Sequence, residues 1–91
     1  MYLAETTKVI ETKLQNELHP THLEVIDETH LHHGHRHPDQ GGNYRILVVS
    51  SHFQGLRSLD RSRMIFKILN EEKTSGRIHS IGMKLLAPNE D

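Results

Sequence analysis

The chain contains no cysteine. That absence removes disulfides, a thiol nucleophile and any thiolate metal site built from this chain alone. Tryptophan is missing too, and with only two Phe and two Tyr the core has to be assembled mainly from Leu, Ile, Val and Met. No apolar run is long enough to span a bilayer, and Met1 to Lys8 lacks the basic and apolar regions of a secretory signal. A cytoplasmic location without a membrane partner is therefore expected. A charge bias is also lacking: 11 Lys and Arg stand against 12 Asp and Glu, a net charge of -1 with neutral histidines. No global positive field draws the chain to nucleic acid, so such binding needs a local patch. There is no nucleophile motif, phosphate loop or paired-carboxylate signature. Asp27 with His30 and Asp60 with His52 could be imagined as acid-base pairs, but such pairs arise by chance among nine histidines, and no enzyme is expected.

What is present fits one domain covering residues 1–91. Leu3, Val9, Ile10, Leu14 and Leu18 recur at helical spacing and predict an amphipathic helix from Leu3 to Leu18, limited by Pro20. His22 to Thr29 reads as a strand. Thr29 to Asn43 is rich in His and Gly, contains Pro38 and has no apolar periodicity, so it reads as a loop. Tyr44 to Ser50 is apolar on both faces, as a central strand would be. Phe53 and Gly55 mark a turn, with an extra helical turn expected around Leu56 to Leu59.

Ser58 is a candidate N-cap for a second helix, with Asp60 in its first turn. That helix should bury Met64, Ile65, Ile68 and Leu69, turn Arg61, Lys67 and Glu71 outward, and stop at Gly76 soon after Lys73. Arg77 to Leu86 reads as a last strand with His79, Ile81, Met83 and Leu85 on one face and Ile78, Ser80, Gly82 and Lys84 on the other. The tail from Ala87 should fray. The order α-β-β-(α)-α-β gives an α+β two-layer sandwich, a three-stranded sheet with helices on one face.

Three groups of side chains are candidates for function. His79 sits among apolar neighbours, where a neutral imidazole either bonds a backbone carbonyl or offers a nitrogen to a metal. His30, His32, His33, His35 and His37 in the loop could take a divalent ion such as zinc, nickel or copper, or hold it adventitiously, against the entropy of ordering a Gly-containing coil. Arg57, Arg61, Arg63 and Lys67 gather around the second helix, either as a DNA-binding surface or as an ordinary solvated face shared with Glu71 and Glu72. No Gly-x-x-Gly signature is present, which argues against RNA binding through a KH loop.

Three segments resemble the BolA family: LEVIDETHLHHGH at Leu23 to His35, VVSSHFQGLRSLDRSRMIF at Val48 to Phe66, and IHSIGMKLLAP at Ile78 to Pro88. The resemblance implies a type II KH-like fold and pairing with a monothiol glutaredoxin around a shared 2Fe-2S cluster. It also implies transcription-related and stress-response roles in some bacterial members. The family's last-strand cluster histidine maps onto His79. A second ligand from the loop maps onto His32, with His35 as the other possibility by spacing. The missing thiolates agree with a cluster that this chain cannot hold alone, and alone the chain is expected as a monomer or weak homodimer. Two positions depart from the family pattern. Ser62 stands where an Arg-His-Arg run has its histidine, and Asn43 with Tyr44 stands where a His-Phe pair opens the second strand.

Overall fold

A computed structural model of the protein describes residues 2–30 and 41–91, and side chains from residue 5 onward. The elements run α1 (Tyr2–Leu18), β1 (His22–Asp27), β2 (Gly42–Val49), α2 (Ser58–Ile68), α3 (Asn70–Thr74) and β3 (Ile78–Leu86). The strands form one sheet in the order β1-β2-β3. β1 pairs antiparallel with β2, and β3 pairs parallel with it. The apolar strand read as central is central.

Alternation settles which sheet face is covered. Tyr44, Ile46 and Val48 of β2 are buried, and Leu23, Val25, Ile81, Met83 and Leu85 pack against the same core. Ile10, Leu14 and Leu18 of α1 and Ile65 of α2 complete it, as their helical spacing requires. The opposite face carries Glu24, Ile26, Arg45 and Lys84 toward solvent. α1 ends where His19 takes a positive φ of 43°, followed by Pro20. Lys13 ties α1 to α3 through Glu71 at 2.8 Å and Glu72 at 2.9 Å, which gives the buried Glu72 carboxylate its partner.

Several expectations are corrected. Ser58 is the first residue of α2 and not its cap; Arg57 holds that place without a side-chain bond. The second helix is interrupted at Leu69, whose φ and ψ of -100° and 22° leave the helical range. The extra helical turn lies earlier, at Ser51–Phe53, where Ser50 Oγ accepts the His52 N–H. The tail does not fray: Ala87 is fully buried and Pro88–Glu90 forms a 3₁₀ turn.

The largest correction concerns His79. Gly42 pairs with Ile78 but Asn43 pairs with Ser80, so His79 is an extra residue in the register. This bulge shifts the alternation by one. Ile78 consequently turns into the core and His79 faces solvent, the reverse of the strict period-two reading.

The sheet end at this bulge is tightly built. A methyl group on Gly41 would lie 1.9 Å from the Gly76 carbonyl oxygen and 2.6 Å from that of Arg77, closer than any side chain permits. Gly41→Ala is expected to destabilise the protein by about 1–3 kcal/mol through the forced backbone shift. Gly82→Ala, whose methyl would meet only Arg45 Nη1 at 3.6 Å, should be neutral or mildly stabilising. Urea denaturation of the two variants checks the contrast.

Candidate metal-ligating site

The end of an antiparallel β1 and the starts of a parallel pair, β2 and β3, necessarily share one edge of the sheet. Here that edge is held by short polar contacts between Asp27, Thr29, Asn43 and Ser80. Asp27 Oδ1 accepts the Thr29 N–H at 2.8 Å, an Asx turn that closes β1. Thr29 Oγ1 accepts the Asn43 N–H at 3.0 Å, and Asn43 O accepts the Glu28 N–H at 2.7 Å. The Ser80 hydroxyl donates to Asn43 Oδ1, and the Gly42 N–H donates to Arg77 O at 2.9 Å. Asn43, one of the departures from the family pattern, is thus 95% removed from solvent and serves as a brace between β2 and β3. Sequence reasoning missed this brace, although the Asp-x-Thr pattern and the Gly41-Gly42 pair were its signals.

His79 stands beside the brace. Its side chain is exposed, and among the described residues nothing bonds its ring. Its carbonyl accepts from Lys73 Nζ at 3.3 Å, which fixes the backbone that carries it. Neither nitrogen has a partner among the described residues, and the bulge turns the ring to solvent, where it can act as a ligand. His32, His33, His35 and His37 lie outside the described residues. His30, at the loop's start, is exposed. Among the described residues no three His, Asp or Glu side chains gather closely enough to hold an ion. The donor set at His79 fits a shared centre: one exposed imidazole and no thiolate.

The expected basic surface is smaller than the sequence suggested. Arg61 is 9% exposed. Its guanidinium donates to Glu90 Oε1 at 2.6 Å, Glu90 Oε2 at 2.9 Å, Leu85 O at 3.0 Å and, through Nε, Leu56 O at 2.9 Å. It also lies 5.9 Å from the centre of the Phe53 ring. Arg61 is a structural clasp that cannot face DNA. Arg57, Arg63 and Lys67 remain outside, with Asp60 3.3 Å from Arg57 and 3.9 Å from Arg63. Ser62, the other departure, is half-buried and lines a shallow pocket with Met83 and Leu85.

A family model described as BolA-like protein matches residues 14–90. The chain belongs to the BolA family. A relative from Haemophilus influenzae, named DNA-binding transcriptional regulator BolA, is 34% identical over 91% of this chain and 78% of its own. The solved BolA domain of SufE1 from Arabidopsis thaliana is similar with a TM-score of 0.85 and 32% identity, covering 94% of this chain and 95% of that one. BolA1 from the same plant gives 0.80 and 27% over 93% and 94%. These are BolA folds, in agreement with the layering and element order expected of this chain. No helix of the described residues is long and apolar enough to cross a membrane.

The clasp makes a pH test. Hydrogen bonds from Arg61, then from the Ala87 N–H, hold the Glu90 carboxyl down at about 2 against its ordinary 4.5. A depressed folded value means that the stabilisation is complete above the unfolded value and is lost as pH falls from about 4.5 through about 2. Glu90→Gln should lower the melting temperature at pH 7 and flatten its fall between pH 5 and 2. Arg61→Ala should lower it as well, while Arg57→Ala and Arg63→Ala leave it within about 2–4 °C. Thermal melts across that range measure all four variants.

Proposed function

We propose that this BolA-family chain is a non-enzymatic adaptor that pairs with a monothiol glutaredoxin and shares a histidine-ligated 2Fe-2S cluster for trafficking or iron and redox sensing. The observation that carries the proposal is the exposed imidazole of His79, without a partner among the described residues, at a bulge beside the braced base of the histidine loop. In this reading His79 donates one ring nitrogen, and His32 or His35 supplies a second ligand from this chain. The partner or glutathione supplies the thiolates. A neutral imidazole in place of a thiolate removes negative charge and raises the potential of such a centre, which suits transfer and sensing.

The chain's own share of the work is positional. The Asn43–Ser80 bond and the Lys73 contact hold the backbone just after His79, and the Gly42 N–H bonded to Arg77 O holds it just before, so in this reading its ring needs only rotamer ordering to meet a metal. The Gly41 contact fixes the far end of the loop against the same turn.

A second reading, a DNA-binding regulator, draws support from the exposed Arg57, Arg63 and Lys67 and from the name of the Haemophilus relative. It requires affinity that falls steeply with salt and that Arg57→Ala and Arg63→Ala weaken. A third, a divalent-metal buffer using the loop histidines, requires zinc binding that survives His79→Ala but not loss of the loop histidines.

Mixing the chain with a cluster-loaded monothiol glutaredoxin should give a visible absorption and circular dichroism spectrum distinct from that of the glutaredoxin alone. His79→Ala should abolish the difference. An unchanged spectrum on mixing with the wild-type chain would discard the adaptor reading.

A further inference from the structure

Three large apolar side chains are exposed among the described residues, and two of them, Leu59 and Phe66, lie on α2. They are seven residues apart, two helical turns or about 10 Å along the axis, and therefore on one stripe. Leu59 is 56% and Phe66 41% exposed. Ser62 and Arg63 lie between them on the same stripe, and the core stripe of Arg61, Ile65 and Leu69 points the other way. Aromatic and aliphatic bulk of this size costs free energy in water, and an apolar pair rimmed by charge is the composition of a protein-binding patch.

The stripe has a definite outlook. Met64, Lys67 and Ile68 line a groove with Lys13 and Glu17 of α1, so that flank of α2 faces α1. Ser62 lines a shallow pocket with Leu56, Met83 and Leu85, so its flank overlooks β3. Leu59 and Phe66, three residues before and four after Ser62, sit on that second flank. β3 is an edge strand. Arg61 donating to Leu85 O and Lys73 donating to His79 O fasten the helical layer along it. Arg61 lies at Leu85 near the end of β3 and Lys73 at His79 near its start, so a partner seated over His79 reaches the stripe when it also covers the length of β3 between them.

We propose that the Leu59–Ser62–Phe66 stripe is the docking face for the thiolate-bearing partner, which presents an apolar hollow rimmed by carboxylates. This rests on the adaptor reading and assigns it a second, cluster-independent contact. Charge selects the partner's chemistry. Arg57 and Arg63 have side chains 83% and 69% exposed, and the single acid among them, Asp60, is shared by both. An acidic rim gains two exposed guanidiniums, while Leu59 and Phe66 supply the apolar anchors that phosphate backbones do not need.

The test is titration calorimetry of the cluster-free chain with a cluster-free monothiol glutaredoxin. Leu59→Glu with Phe66→Glu should weaken binding at least tenfold, and Arg63→Glu should weaken it and reduce its salt dependence. Phe66 is more than half buried, so the double variant's melting temperature should fall, and circular dichroism at the titration temperature should still show it folded. His79→Ala should leave the cluster-free affinity within about twofold while changing the spectrum of the loaded complex. A glutaredoxin that binds wild type and the Leu59/Phe66 variant equally overturns the docking face alone. A glutaredoxin that never binds wild type, loaded or not, overturns the adaptor reading and this face with it. Loss of DNA binding in that variant with glutaredoxin affinity unchanged would assign the stripe to nucleic acid and likewise overturn it.

Discussion

The parallel pairing of β2 with β3 is the constraint on which the rest depends. Parallel strands start at the same end of a sheet, and the antiparallel β1 finishes there. The two ends of the histidine loop, at Thr29 and Asn43, and the distant His79 are therefore delivered to one end of the sheet. The side chains then fix what topology has gathered. Asn43 is bonded to Thr29 on one side and Ser80 on the other, and Gly41 packs backbone to backbone against Gly76 and Arg77.

Much of this was legible in the sequence, and the failures have physical causes. α1 and the core stripe of α2 carry strong periodic signals because one face of each is buried, and the central strand stands out as an unbroken apolar run. The face of His79 was misread because a period-two pattern assumes an unbroken register, and a single bulge reverses it. Ile78 and His79 differ enough in polarity that the swap is favourable once the extra residue is present: the isoleucine is buried and the imidazole is wetted. The bulge has no composition signal of its own, since it arises from how Gly42 meets the turn at Gly76 and Arg77.

Arg61 illustrates the opposite failure. Arg57, Arg61, Arg63 and Lys67 look alike as charges in a sequence, but their helical angles differ. Arg61 shares the inward direction of Ile65, and a guanidinium can be buried there only if its donors are satisfied. Glu90, Leu85 O and Leu56 O satisfy them. The tail expected to fray is what supplies the carboxylate, so the two misreadings share one cause: a contact between residues 29 apart is invisible to local pattern. Separating Arg61 from its neighbours also changes the functional reading, because it reduces the surface expected to bind DNA and leaves Leu59 and Phe66 prominent on what remains.

The placement of the loop bears on why a histidine-rich segment can act as more than an adventitious chelator. Ordering a coil around an ion costs conformational entropy for each residue fixed, and that cost is greatest when the ends also have to be brought together. Here Thr29 is bonded to Asn43 across the neck of the loop, so closure is accomplished by folding. His79 needs no ordering of its backbone at all, being part of β3 and tied by Lys73. On the adaptor reading, a ligand set with one preorganised imidazole and one drawn from a closed loop would bind more weakly than a rigid four-ligand cage, and that weakness would suit a centre shared with a second protein and then passed on.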